Sequence, residues 1–322
     1  MTRLLVICIV ALAASAICYS WTTSVVDESE EPVVSLPADQ QAIVDELSEV
    51  EDVTMRRSGG EVITIHGGGS IDDRLAARVG KLTSLRSLHL ESCPITEEGL
   101  AQLAGLENLE SLWLDGVNLT ARGSASLQDL ESLRELSLAG CELDSETLAS
   151  IGKLERLESL DVSDTKSTDA DLMHISGLSG LKRLYLMNTP VTGSGLTELV
   201  ACDQIELLNL SGAPVDADIV DALRKMKSLD TLYLDATPVD DAMLSSIVDA
   251  LVAEAPGIRG LFLDRTNLTD GSIESLSRLS QLENLAAVRI AETEITRSSF
   301  EELAASAPEI RFAFGSSAIE AD

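Results

Sequence analysis

Leucine-rich segments of this chain begin at Leu82, Leu106, Leu130, Leu154, Leu178 and Cys202, each 24 residues after the last, and the next begins at Met226. A fixed period of this length means stacked, near-identical coils that each contact only their neighbours, and it disfavours most enzyme architectures. Counted from each start, apolar residues fall at the third, sixth and eighth positions, as in Leu85, Leu88 and Leu90 and again in Leu181, Leu184 and Leu186. Another falls at the thirteenth (Ile95, Leu119, Leu143, Val191, Val215, Val239), and others at the eighteenth and twenty-first (Leu100 and Leu103, Leu148 and Ile151, Leu196 and Leu199). The first set has period two and the second period three, so each unit is predicted to be a short strand, a turn and a helix.

The fourteenth position is Thr or Asp in every copy: Thr96, Thr120, Asp144, Thr168, Thr192, Asp216, Asp240, Thr269 and Thr296. These are expected helix N-caps, whose side-chain oxygen accepts an otherwise unpaired amide of the first turn. Later units start at Ala255, Leu282 and Ala307, giving lengths of 29, 27 and 25 residues. The additions fall near residues 248–254 and 276–281, where they lengthen the helix or the loop after it. One unit alone cannot fold, because its few apolar side chains return less than the backbone entropy of ordering it. Stacking makes stability collective and requires caps at the ends. Residues 39–50 read as an amphipathic helix, followed by a hairpin through 53–55, a turn at 57–60 and 62–65, which together form the expected N-terminal cap.

The pattern resembles the leucine-rich-repeat superfamily. In the consensus L-x-x-L-x-L-x-x-N/C-x-L, the ladder position falls on Cys93, Val117, Cys141, Thr165, Thr189, Ala213, Thr237, Thr266 and Thr293. Thr and Cys thus replace the usual Asn ladder, as in the cysteine-containing and short bacterial types. The resemblance implies an α/β fold: a right-handed solenoid with a curved parallel sheet on its concave face, helices on its convex face, and a binding role. The expected organisation is a signal peptide or membrane anchor over 1–21, an acidic tether over 22–37, a cap with an irregular first repeat over 38–81, and the array with a partial last repeat over 82–322.

The formal net charge of −31 repels phosphate backbones and argues against nucleic-acid binding. Its plain reading is a solubilising surface; the alternative is a basic partner. At the N-terminus, Arg3 precedes an uncharged run from Leu4 to Ile17 with small residues at 13–16, which fits a secretory signal. The 18 residues from Leu4 to Trp21 also approach the length of a crossing helix, so an uncleaved anchor is the alternative. Either way the repeats are expected outside the cytoplasm, secreted, periplasmic or anchored, with membrane contact only through this segment. Five cysteines make no disulfide framework: Cys8 and Cys18 belong to the export segment, while Cys93, Cys141 and Cys202 read as buried small hydrophobes.

Chemistry-bearing motifs are weak. The histidines His66, His89 and His174 form no metal-ligand spacing and no pairing with a nucleophile, so no enzyme, metal or cofactor is implied. Gly67-Gly68-Gly69 lacks the following Lys of a phosphate loop, and Asp72 and Asp73 stand where a phosphate would lie. Residues 264–275 lack the side chains of a calcium loop. Sequons at Asn118, Asn209 and Asn267 read as coincidental.

The seventh position lies between two buried strand residues and must face away from the core, onto the concave surface. It reads His89, Trp113, Ser137, Asp161, Tyr185, Asn209, Tyr233, Phe262, Arg289 and Phe314, taking five of the nine aromatic residues in the chain. The ninth position adds Glu91, Asp115, Asp235 and Asp264. Aromatic residues favour strands and stack along ladders without any ligand. Their concentration on one exposed face also suits recognition of a partner. The expected ligand-binding residues are His89, Trp113, Asp115, Asp161, Tyr185, Tyr233, Asp235, Phe262 and Asp264, with Tyr233 and Phe262 foremost. The expected ligand is a protein whose basic residues meet the carboxylates; a glycan stacked on the rings, as in an adhesin, is the alternative.

Overall fold

The computed structural model describes residues 36–314 apart from 118, 120–124 and 256. The export segment, most of the tether, Cys8, Cys18, Asn118 and Thr120 lie outside the described residues. Among the described residues, twelve strands form one open sheet in strict chain order. The first two, β1 (Val53–Ser58) and β2 (Glu61–Gly67), make an antiparallel hairpin behind the helix Ala38–Ser48. Its turn needs positive φ at both central residues, and Gly59 and Gly60 supply 58° and 92°.

From β2 onward every neighbour is parallel: β3 (Ser87–Leu90), β4 (Ser111–Trp113), β5 (Glu135–Ser137), β6 (Ser159–Asp161), β7 (Arg183–Tyr185), β8 (Leu207–Asn209), β9 (Thr231–Tyr233), β10 (Gly260–Phe262), β11 (Ala287–Arg289) and β12 (Arg311–Ala313). The register sets Leu88, Leu112, Leu136, Leu160, Leu184, Leu208, Leu232, Leu261 and Val288 side by side, none more than 1 % exposed. They pack against helices on the convex side, giving the right-handed α/β solenoid expected from the repeat. The lengthened units keep their extra residues on that side, in the helix Asp241–Glu254 and in Ile273–Ser277 with the 3-10 turn Arg278–Gln281. No helix among the described residues is long and apolar enough to cross a membrane.

Three ladders recur from coil to coil. In the first, the hydroxyls of Thr165, Thr189, Thr237, Thr266 and Thr293 donate to the carbonyl three residues back. Cys93 and Cys141 instead reach the preceding coil, at Gly68 O (2.8 Å) and Leu114 O (3.1 Å). Burial pushes the thiols of Cys93, Cys141 and Cys202 up to about 11, 12 and 11, so they stay protonated and inert at neutral pH.

The second ladder is a column of left-handed residues that turns the chain out of each strand. It comprises Ser92, Gly116, Gly140, Asp164, Asn188, Gly212, Ala236, Arg265 and Glu292, with φ between 51° and 73°. In the third, an Asp at the first helical position accepts both the amide and the hydroxyl of the next coil's capping Thr. Asp73 clamps Thr96, Asp169 clamps Thr192, Asp241 clamps Thr269 and Asp270 clamps Thr296. The caps themselves accept as expected at Thr96, Asp144, Thr192, Asp240, Thr269 and Thr296. Six of the acidic residues are therefore structural.

Candidate functional site

The solvent side of the sheet is built by alternation: within each strand the central residue enters the core and its two neighbours face the hollow. Nine of the ten residues read from the sequence for this column stand in it, paired strand to strand from His89 to Arg289. Phe314 does not. Arg289 pairs with Ala313, and Phe314 turns to the core side, where it stacks on Phe300 with ring centroids 4.6 Å apart. The last coil is one residue shorter between its buried Ile310 and Phe312 than the preceding coil is between Leu285 and Val288, which shifts the frame.

At the N-terminal end, the His89 ring lies 4.1 Å from His66 and meets the half-buried Trp113 edge-on at 3.6 Å. His89 Nε2 is hydrogen-bonded to Ser87 Oγ at 2.9 Å, a pairing of base and hydroxyl within one strand that the spacing of histidines did not reveal. Burial, with the neighbouring His66 adding to it, pushes the His89 imidazole down to about 3. At the C-terminal end, Tyr233 and Phe262 stack face to face, with centroids 4.3 Å apart and planes 12° apart. Phe262 is fully buried yet outside the core cluster. Its ring lies over Gly260, where an added Cβ would come within 2.9 Å, and the Arg289 guanidinium sits 5.7 Å from its centroid.

In each of four aspartates on this face, one carboxylate oxygen is committed to a backbone amide. Asp115 accepts from Ser137 Oγ and from the Ala139 amide (3.2 Å), and Asp235 from the Asp264 amide (2.8 Å). Asp264 accepts from the Ala291 amide (2.8 Å) and pairs with Arg289. Asp161 accepts from the Ser163 amide at 2.8 Å. Each satisfies an amide beyond the end of a strand, where the ladder stops. Burial raises all of Asp115, Asp161 and Asp235 against these bonds, and the last two reach about 6. Asn209, at the same position as Asp161, bonds the Ser211 amide (3.0 Å) and is buried, so its sequon is closed in the folded chain.

Besides Trp113, three apolar side chains in the middle of this face stay partly open toward solvent. Tyr185, Met187 and Leu207 are half-buried and belong to no part of the core cluster. Arg183 borders them, its guanidinium reaching across β6 to Glu135 at 2.8 Å. Sequence reasoning passed over Met187 and Leu207; the signal for Leu207 was an apolar residue at an outward position that other coils fill with Ser87, Ser111 and Ser159.

A family model described as a leucine-rich repeat matches residues 81–104, the first full coil. Together with the parallel ladder of identical coils, this decides the fold. The chain folds as a leucine-rich-repeat protein. No curated protein matches the sequence. Among solved structures, an internalin from Listeria monocytogenes is similar over 88 % of this chain and 96 % of its own, with TM-score 0.52 and 16 % identity. Internalin C2 from the same organism covers 86 % and 92 %, with TM-score 0.40 and 18 % identity. At such identity the first likeness bears on the fold alone. The repeat supplies the concave sheet, and what that sheet does rests on its own side chains.

Proposed function

We propose that this chain is a non-enzymatic recognition module whose concave sheet binds another protein outside the cytoplasm. One observation carries the reading: Tyr185, Met187 and Leu207, on two adjacent coils, are half-exposed apolar side chains that take no part in the core. Apolar side chains left half-exposed on one face, with polar groups beside them, are what protein interfaces use. The uncharged N-terminal run supports the extracytoplasmic part. A hydrolase is disfavoured because the imidazole paired with Ser87 binds protons too weakly at neutral pH to act as a general base. A glycan site is disfavoured because Tyr233 and Phe262 stack on each other and leave no open face between them.

The burial of Phe262 moves the decisive test toward Tyr185. A photo-crosslinking amino acid at Tyr185 should trap one discrete partner in the native envelope, while the same group at the exposed convex Met173 should not. Equal trapping at both positions, or none at Tyr185, would refute a concave binding role.

A further inference from the structure

The partner's chemistry can be read by comparing the two ends of the concave sheet, in an inference that rests on the concave-face reading above. Near the C-terminal end the chain assembles a trio of ring, carboxylate and guanidinium from its own residues. Arg289 of β11 stands in register with Phe262, pairs with Asp264 Oδ2 and lies 5.7 Å from the Phe262 ring centre. Asp264 Oδ1 meanwhile accepts the Ala291 amide at 2.8 Å. Near the N-terminal end the same frame recurs one residue short of completion. Trp113 stands at the position of Phe262 and Asp115 at that of Asp264, and Asp115 Oδ1 accepts the Ala139 amide at 3.2 Å just as Asp264 accepts that of Ala291. The residue in register with Trp113 is Ser137, where β11 has Arg289. Its hydroxyl bonds the same Oδ1, so Asp115 Oδ2 meets no donor of the chain.

The next strand adds a second carboxylate. Asp161 stands in register with Ser137 and accepts the Ser163 amide through Oδ1, with the Ser163 hydroxyl beside it. It is 8 % exposed, and among the described residues neither it nor Asp115 makes an ion pair, since Arg183 is held by Glu135. The fold does not require this charge, because Asn209 makes the same bond without one. A mostly buried charge with no cation beside it costs stability, and a cation supplied by a ligand would offset that cost. We propose that an arginine side chain of the partner protein enters between Trp113 and Tyr185, above Ser137, and pairs with Asp115 and Asp161. Neighbouring parallel strands lie about 4.8 Å apart, so the two ring-bearing strands are about 14 Å apart, with only the short Ser137 and Asp161 between them in this column. The fork of guanidinium donors serves two carboxylates at once and its plane stacks on a ring, whereas a lysine ammonium is a point charge. The formal charge of −31 draws a cationic segment toward the chain from a distance.

The test is a random dodecapeptide display library panned against the full chain at pH 7.5. Enriched peptides should share one arginine. In a synthetic representative, citrulline in its place keeps the shape, loses the charge and should weaken binding at least about tenfold; lysine should weaken it about three- to tenfold. The double variant Asp115→Asn/Asp161→Asn should also weaken it at least about tenfold with circular dichroism unchanged. Removing two exposed carboxylates elsewhere, in Glu107→Gln/Glu131→Gln, should change it by less than about twofold. Ser137→Arg, which installs the residue of β11, should supply the guanidinium from within and block the peptide. Equal loss from the two carboxylate pairs, or lysine binding as well as arginine, would overturn this inference. Arginine-free peptides that lose binding with Tyr185→Ala would overturn it and leave the concave-face reading standing. Peptides indifferent to both Tyr185→Ala and the aspartate pair, or no enrichment at all, would overturn both.

Discussion

Asp161 and Asn209 occupy the same position two coils apart and each accepts the amide two residues on, yet one carries a titratable proton and the other does not. The comparison isolates the consequence of charge. Burial holds the Asp161 carboxyl at about 6, against about 3.9 in the unfolded chain. Between those values the folded state binds more protons, so stability falls as pH rises from about 4 to 6 and the penalty is complete above that. Asp161→Asn keeps the bond and removes the penalty. Urea unfolding should show the variant more stable by roughly 2 kcal/mol at pH 7.5, with the difference gone near pH 4; equal stability at pH 7.5 would place the carboxyl in an ordinary environment. The position of Asp161 on the concave face was legible in the sequence, because alternation alone fixes which side a strand residue takes. Its burial was not, nor was that of Phe262, because both depend on how side chains from neighbouring coils lie over a strand. Gly260 gives the Phe262 ring its bed and Arg289 its cover, and neither signals this in a single coil.

Elements were the most legible level, since strand, turn and cap each have a period or a residue type. The caps at Thr96, Asp144 and Thr192 stand where the pattern put them. The clamps were missed because each joins an Asp to a Thr 23 to 28 residues later, and comparing columns within one unit cannot show a bond between two. The Asp169 clamp also explains the glycine opposite it: a Cβ on Gly195 would lie 2.4 Å from Asp169 Oδ1 and 2.6 Å from its Cα. In an open helix Gly→Ala stabilises by about 1 kcal/mol; here Gly195→Ala should destabilise by about 1–3 kcal/mol, because the helices must move apart. A gain in melting temperature would mean that the coils pack more loosely at this point. Gly140 poses the opposite case. Its φ of 68° is left-handed, but its nearest obstruction is the Gly116 backbone at 3.9 Å, so only conformation opposes a side chain. Gly140→Ala should therefore cost about 1 kcal/mol from backbone strain alone, read as a shift in urea midpoint at constant slope.

At the scale of the whole molecule, pairing only between sequential strands means that each coil is supported by two neighbours, except at the ends. The frame shift that sets Phe314 against the core belongs to this level, since the spacing carried over from earlier coils turns Phe314 outward, whereas the last coil docks on β11 with Ala313 opposite Arg289 and its Ile310, Phe312 and Phe314 on the core side. The same one-dimensional order determines how damage spreads. Phe312, in the terminal strand, and Leu184, in the seventh of twelve, are buried to similar degrees, at 4 % and 0 % exposed. In a globular core their truncation to Ala would be felt everywhere. In a stack with nearest-neighbour coupling the terminal loss is relieved by fraying one coil, whereas the central loss must be borne by the array or split it. Hydrogen exchange followed by mass spectrometry should show Phe312→Ala lowering protection in β11 and β12 while β5–β9 keep theirs. Leu184→Ala should lower the opening free energy across β5–β9 together, by about 2–4 kcal/mol. Loss of protection in β5–β9 from the terminal substitution would mean that the coils unfold as one indivisible unit and that nearest-neighbour stacking does not describe how this chain is held together.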